Sequence, residues 1–131
     1  NLRGRIIYKE PIPDIEKYYS AADIFALPSI YEPFGNANLE ALASGLPVIT
    51  TRNCGSADII QHGQNGLIVE TPESSREIAK NINILFNQAL RRSMGQKGRV
   101  LAEKFSIKQN TYEMLQTYKE IITAQEKQTP T

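Results

Sequence analysis

Cysteine, net charge and long apolar runs are all scarce in this sequence, and each scarcity excludes a class of protein. Its one cysteine, Cys54, cannot form an internal disulfide, which favours a reducing, cytoplasmic setting. The fifteen basic and fourteen acidic side chains nearly cancel, at a net charge of +1, and this argues against an electrostatic nucleic-acid binder. No apolar run approaches the roughly 20 residues that cross a bilayer. With 40% hydrophobic and 22% charged residues, the composition is that of an ordinary soluble globular domain.

The chain also lacks an initiator methionine and a recognisable signal peptide. It begins at Asn1, so we expect a piece of a longer protein. The 131 residues suffice for one domain with a single core. We assign residues 1–124 to that domain and residues 125–131 to a polar C-terminal tail.

Short apolar runs alternate with helical patterns along the chain. We predict strands at four places: Arg5–Lys9, Ile24–Leu27 (covered on both faces), Val48–Thr51 and Leu67–Val69. Capping residues predict a helix after Asp14 and a second helix from a cap at Asn36 to about Ser44, and a helical turn follows at Ser56–Gln61. Helical spacing predicts three further helices. The first has an apolar stripe of Ile78, Ile82, Leu85 and Phe86, the second covers Leu90–Lys104, and the last has Leu115, Tyr118 and Ile122 on one face. The predicted fold class is α/β, a doubly wound, mostly parallel Rossmann-like sheet.

One connection in this pattern carries the chemistry. In such sheets ligands bind beyond the carboxyl ends of strands, near helix N-termini, and residues 28–46 (PSIYEPFGNANLEALASGL) occupy that place. The first helical turn offers unpaired N–H groups to a phosphate, and Gly35 allows close approach. Glu32 and Glu40 flank this anion site, and each could bind a vicinal diol. Such an arrangement suits a nucleotide sugar, with one acid on the sugar and the other on the ribose.

The same stretch resembles the donor-site motif of retaining glycosyltransferases of the two-domain GT-B architecture, the glycosyl transferases group 1 or family 4 type. The residues that carry the resemblance are Pro28-Ser29, Glu32, Phe34-Gly35, Glu40-Ala41, Ala43, Gly45 and Pro47-Val48, with Tyr19-Ser20-Ala21-Ala22-Asp23 upstream and Gly63-Gln64-Asn65-Gly66 downstream. The similarity spans about Ile6 to Phe105. It implies the C-terminal, donor-binding domain of a hexosyltransferase of carbohydrate or lipopolysaccharide biosynthesis.

The resemblance also implies a role for each motif residue. Glu32 would be the catalytic-site acid that binds the donor sugar, and Glu40 would hold the ribose hydroxyls. The backbone amides that would face the sugar are those of Phe34, Gly35 and Asn36, and those that would face the phosphates are Ala37, Asn38 and Leu39. The family needs no metal or other cofactor, and the sequence has neither Asp-x-Asp nor a His/Cys cluster.

Several family features are missing or altered. Pro33 stands where the family usually has glycine, and it has no N–H to offer. The family's diphosphate-binding Arg and Lys, and its acceptor domain, would lie before Asn1. We therefore expect half a donor site, inactive alone, whose sugar or glycolipid acceptor binds the missing domain. The Arg5–Lys9 strand would lose a neighbour, and it would fray, re-pair or join a second chain as a homodimer.

Other interpretations remain open at this stage. The chain could belong to a nucleotide-sugar epimerase of GT-B architecture, or be a non-catalytic nucleotide-sugar-binding module. Glu32 and Glu40 could instead be a glycosidase-type acid pair or two solvated charges. Asn38 could simply be solvated, Tyr19 is interpreted as a packing residue, and Arg52 is the nearby cation that could touch a phosphate. Basic residues after the sheet leave peripheral contact with the inner membrane surface as a minority option.

Overall fold

The computed structural model describes residues 4–126 as a small parallel sheet with helices on both faces. The strands are β1 (Phe25–Leu27), β2 (Val48–Thr51) and β3 (Gly66–Val69). The α-helices are α1 (Ile15–Ala21), α2 (Asn36–Ala43), α3 (Ser75–Ile84), α4 (Gln88–Ala102) and α5 (Ile107–Glu126). Two short 3₁₀ helices cover Gly55–Asp58 and Glu103–Phe105. Residues 127–131 of the predicted polar tail lie outside the described residues.

The described strands pair in the order β1-β2-β3, all parallel. Val48 stands opposite Phe25 on one side and Gly66 on the other, so β2 is the central strand. The carboxyl ends of β1 and β2 therefore meet at the same edge of the sheet. This arrangement confirms the predicted α/β class and brings the loops after β1 and β2 together.

The side chains of β2 alternate between two cores, because successive residues of a strand face opposite sides of the sheet. Val48 packs in a cluster with Leu42 of α2, whereas Ile49 packs in a second cluster with Leu85 and Met94. All four residues of β2 are fully buried. Helices on both faces of the sheet make the architecture doubly wound.

Helix α2 is bounded by two glycines in the left-handed region. Gly35 precedes it at φ 80°, and Gly45 follows it at φ 78°, where the sequence pattern predicts a helix stop. The predicted cap at Asn36 is wrong by one residue. Asn36 is the first helical residue, and the cap position belongs to Gly35, with no side-chain capping bond. Asp14 does occupy the cap position of α1, but its carboxylate pairs with Lys17.

Two predicted strands differ from the structure. Arg5–Lys9 forms no strand, and residues 5–13 make no backbone hydrogen bond within the described part of the chain. An extended segment without a paired neighbour has no ladder to stabilise it, and Ile7 and Tyr8 are exposed. The strand predicted at Ile24–Leu27 forms, but it is not covered on both faces. Ala26 is exposed, because β1 is an outer strand of the described sheet.

The predicted apolar stripes of the later helices are confirmed only in part. Ile78 and Ile82 pack against the second core and Leu85 is fully buried, but Phe86 is exposed. Helix α3 ends at Ile84 with Leu85 as its C-cap, so Phe86 lies beyond the turn that would have placed it on the stripe. On α5, the side chains that share the predicted face are all exposed: Leu115, Tyr118 and Ile122.

Candidate functional site

The loop after β1 is hydrogen-bonded to the loop after β2. The Gly55 N–H donates to the Glu32 carbonyl oxygen at 2.9 Å, and the Ser56 N–H donates to the Phe34 carbonyl oxygen at 2.7 Å. The Glu32 N–H donates to the Asn53 carbonyl oxygen at 3.4 Å, so Glu32 and Cys54 form an isolated parallel bridge. The segment that contains the predicted donor motif is therefore fixed by a second connection of the sheet.

Two glycines permit this close approach. A Cβ atom on Gly55 would overlap the Pro33 carbonyl oxygen and lie 2.9 Å from the carbonyl carbon. A Cβ atom on Gly35 would lie 2.7 Å from the Cys54 sulfur, and its φ of 80° disfavours other residues in any case. Cys54 itself is buried, as the sequence predicts. Glycine at positions 35 and 55 is thus required by packing between the loops.

A run of backbone N–H groups at the start of α2 has no hydrogen-bond partner among the described residues. Within residues 4–126, no oxygen accepts a hydrogen bond from the N–H groups of Phe34, Gly35, Asn36 or Ala37. Asn38 differs, because its N–H donates to the Gly35 carbonyl oxygen at 2.8 Å. Unpaired N–H groups at a helix N-terminus attract anions. Four of the predicted ligand-facing amides are therefore free to donate, whereas that of Asn38 is already engaged.

The side chain of Asn38 lies in a buried polar cluster beneath this turn, and its predicted solvation is wrong. Its amide nitrogen is 3.0 Å from Thr50 Oγ1, 2.7 Å from Ser56 Oγ and 3.3 Å from Cys54 Sγ. Asn38 is fully buried, and its Oδ1 has no hydrogen-bond partner among the described residues. The cluster links α2 to β2 and to the loop after β2. It fixes the helix start relative to the sheet.

Glu40 lies on the exposed side of α2, one turn inside the helix. One carboxylate oxygen, Oε2, accepts a hydrogen bond from the Tyr19 hydroxyl at 3.1 Å. Burial, and then the neighbouring Glu40 carboxylate, raise the pKa of Tyr19 to about 12. Tyr19 packs as predicted, but the contact with the second motif acid escaped sequence reasoning. The sequence feature that could have indicated a role for Tyr19 was its place in the Tyr-Ser-Ala-Ala-Asp segment upstream of the motif.

A cleft of about 730 Å³ opens between the start of α2 and the start of α5. Its lining residues are Phe34, Asn36, Leu39, Glu40, Lys104, Phe105, Ile107, Gln109, Asn110 and Glu113. The structure thus brings four predicted site residues to one cavity, and it adds Lys104 as a cation. Glu32, which is half-buried, and Gly35, Ala37 and Asn38 are outside this lining.

Arg52 pairs with Glu70 and is not among the residues that line the cleft. Its guanidinium makes hydrogen bonds of 2.9 and 3.0 Å from Nε to the two carboxylate oxygens of Glu70. That pair is exposed, and the guanidinium lowers the pKa of Glu70 through its hydrogen bonds. Arg52 is the cation that lies near the motif along the chain, whereas the cation that lines the cleft is Lys104, 52 positions later.

Residues 4–126 contain no group of three or more His, Cys, Asp or Glu side chains that could hold a metal ion. None of the five α-helices in the same range has the length and apolar character that a bilayer crossing requires.

Curated relatives resemble this chain over most of its length. The capsular polysaccharide biosynthesis glycosyltransferase CapM of Staphylococcus aureus is 36% identical over 103 residues, which is 77% of this chain and 27% of CapM. A probable sucrose-phosphate synthase of Thermosipho melanesiensis is 42% identical over 84 residues, 61% of this chain and 20% of that protein. The chain spans between 20% and 33% of the length of the first four curated relatives.

Solved structures show the same fold. A glycosyltransferase from Rickettsia africae superimposes with a TM-score of 0.84 at 28% identity, over 92% of this chain and 33% of its own. Anabaena HepE, solved in complex with UDP-glucose, superimposes with a TM-score of 0.78 at 27% identity, over 88% of this chain and 33% of its own. The sheet and its helices thus match part of the GT-B glycosyltransferase architecture.

The family model for glycosyl transferases group 1 matches residues 1–101, which include all three described strands and the loop from Glu32 to Glu40. With this match and the relatives above, the chain belongs to the glycosyl transferases group 1 family.

Proposed function

We propose that this chain supplies much of the donor site of an enzyme that transfers a hexosyl group from a nucleotide-diphosphate sugar to an acceptor, with retention of the anomeric configuration. The observation that supports this most strongly is the free N–H run of Phe34–Ala37 at the start of α2, where Phe34 and Asn36 line the same cleft as Glu40. Structural neighbours solved with UDP and with UDP-glucose support a nucleotide-sugar ligand.

In this proposal the diphosphate lies at the N-terminus of α2. The N–H groups of Asn36 and Ala37 donate to its oxygens, and the positive end of the helix dipole favours its charge. As the glycosidic bond to the donor breaks, negative charge accumulates on the departing diphosphate. Donors that are already fixed in place stabilise this charge in the transition state more than in the ground state. The buried Asn38 cluster provides the rigidity that such stabilisation needs.

The two acids hold the rings on either side. Glu32 binds hydroxyls of the donor sugar and keeps its anomeric carbon oriented as positive charge develops there. Glu40 binds the ribose 2′- and 3′-hydroxyls through the carboxylate oxygen that Tyr19 leaves free. We propose that no metal or other cofactor takes part, and that the diphosphate charge is balanced by amides and by cations such as Lys104.

We also propose that the chain alone does not transfer sugar. The curated relatives are longer, and this chain spans at most 33% of the first four of them. The acceptor, a sugar or glycolipid, binds a part of the enzyme beyond these residues.

The proposal is tested by calorimetric titration of the 131-residue chain with UDP-glucose and with UDP. Glu40→Ala should weaken both ligands by about 10- to 150-fold, which corresponds to roughly 1.5–3 kcal/mol for a lost charged hydrogen bond. Glu32→Ala should weaken UDP-glucose by a similar factor but UDP much less. Glu120→Ala is the control, because Glu120 is exposed on α5, away from the motif loop.

Equal affinities of the wild type and both motif variants for both ligands would remove the assignment. Product analysis on a longer protein that contains this chain separates the remaining alternatives. Transfer of labelled sugar to an acceptor with retained configuration supports the proposal. Inversion of the free donor would indicate an epimerase, and tight binding without turnover would indicate a non-catalytic module.

A further inference from the structure

The carboxylate of Glu40 is held by a residue from a different helix. The Tyr19 hydroxyl of α1 donates to Glu40 Oε2 across 3.1 Å, although the two residues are 21 positions apart in the sequence. The other carboxylate oxygen, Oε1, makes no hydrogen bond within the described residues. One oxygen of Glu40 is therefore fixed by the protein, and one remains available to a ligand.

The ring of Tyr19 is itself firmly seated. Its exposed fraction is 7%, and it belongs to the core cluster that contains Leu42 of α2. It meets the ring of Phe25 edge-on, with centroids 5.6 Å apart and planes at 72°. A buried aromatic side chain with such neighbours has few alternative rotamers. The hydroxyl at its tip is thus presented to Glu40 from a fixed position.

The hydroxyl also keeps its proton under ordinary conditions. Burial and the Glu40 carboxylate raise the pKa of Tyr19 to about 12, so it remains a donor throughout the neutral range. An exposed glutamate on a helix otherwise samples several rotamers, and each one it must give up on binding costs affinity. A donor that already fixes the carboxylate removes part of that cost.

We infer that Tyr19 is a positioning residue for ligand binding: it orients Glu40 so that Oε1 faces the vicinal diol of a bound nucleotide. This inference rests on the proposed function, because it takes Glu40 as the ribose-binding acid. Tyr19 does not touch the ligand and acts only through Glu40. The neighbouring Tyr18 has no such part, since it is 44% exposed and its hydroxyl makes no hydrogen bond within the described residues.

The test compares Tyr19→Phe with Tyr18→Phe, each of which removes one hydroxyl and keeps the ring. Each chain is titrated with UDP and with 2′,3′-dideoxy-UDP, which has the same base and charge but no diol. Tyr19→Phe should weaken UDP by about 3- to 10-fold, in keeping with the usual contribution of one hydrogen bond, and leave the dideoxy analogue within twofold of wild type. Tyr18→Phe should leave both affinities unchanged.

A merely structural role for Tyr19 predicts something else, because loosening of α2 would weaken both ligands equally. That outcome would overturn the inference. Tyr19→Phe in a Glu40→Ala background should have no further effect on UDP, and an additive loss would also contradict positioning through Glu40. If Tyr19→Phe binds UDP as wild type does while Glu40→Ala does not, the inference fails and the proposed function stands. If Glu40→Ala has no effect on UDP, the inference and the ribose-binding role of Glu40 both fail.

Discussion

The close contact between the loop after β1 and the loop after β2 predicts the effect of Gly55→Ala. The new methyl group would overlap the Pro33 carbonyl oxygen, with the carbonyl carbon at 2.9 Å and Phe34 Cα at 3.0 Å. All these atoms belong to the backbone, so no side-chain rotation can relieve the overlap. The loop after β1 must move away from the loop after β2, which breaks the hydrogen bonds donated by Gly55 and Ser56.

The magnitude follows from these contacts. Overpacking of a close contact costs about 1–3 kcal/mol. Loss of two hydrogen bonds adds about 0.5–1.5 kcal/mol each if the loops separate. Because separation relieves the overlap, the two costs are alternatives in part, and we expect a loss of about 2–4 kcal/mol in the free energy of unfolding. Displacement of Phe34 also moves the free N–H groups, so UDP affinity should fall by at least about tenfold, or about 1.4 kcal/mol.

Gly95→Ala is a matched control in the same chain. A Cβ atom there would overlap the Gly45 carbonyl oxygen, with the carbonyl carbon again at 2.9 Å, but at the contact of α4 with the end of α2. The better helix propensity of alanine offsets the cost by about 1 kcal/mol. Gly95→Ala should therefore lose stability without a specific loss of UDP binding.

The assay has two readings for each variant. Urea unfolding followed by circular dichroism gives the change in stability, and calorimetry under conditions where each variant is folded gives UDP affinity. The prediction is refuted if Gly55→Ala binds UDP as tightly as wild type. It is equally refuted if both glycine variants lose UDP affinity by the same factor, since the effect would then be one of general stability.

Three further changes test other parts of the structure. The pKa of Tyr19 is raised in the folded chain, so the unfolded chain loses this proton first as the pH rises. The free energy of unfolding should therefore fall between about pH 10 and about pH 12, by at most about 1.4 kcal/mol per pH unit. Tyr19→Phe should reduce that slope, as measured by urea unfolding at several pH values. Asn38→Leu should lose about 1–3 kcal/mol in urea unfolding, because it removes the buried amide that donates to the hydroxyl oxygens of Thr50 and Ser56; a stability equal to wild type would contradict the role of the cluster. Arg52→Ala should leave both the urea-unfolding midpoint and the calorimetric UDP affinity close to wild type, because its partner Glu70 is exposed on the surface; a large loss of affinity would identify Arg52 as a phosphate ligand.

The elements that could be predicted from the sequence are those set by local chemistry. Val48–Thr51 is a β-branched run between a proline and a loop, and it forms the central strand. Gly45 follows the end of α2, where the backbone is left-handed, and a glycine at that one position was enough to predict the helix stop. The family resemblance of the Glu32–Glu40 stretch rested on residue types at fixed spacing, and the family match confirms it.

The features that could not be predicted depend on neighbours far away in the sequence. Whether β1 is covered on both faces depends on what lies beside it, and an apolar run such as Ile24–Leu27 does not say. The burial of Asn38 follows from the packing of α2 on β2, whereas its place in the first turn of the predicted helix left a solvated side chain open. The bond from Tyr19 to Glu40 joins two helices whose relative position no local pattern encodes.

The hydrogen bonds between the loops have a consequence for folding itself. Because the loops follow β1 and β2, the free amides are in place only when those strands are paired. A ligand that binds there recognises the folded chain alone, and at 100 times its dissociation constant it adds about 2.7 kcal/mol to the unfolding free energy. Occupancy should thus slow hydrogen exchange along the outer strand β1, because a ligand held by the free amides also stabilises the pairing of β1 with β2.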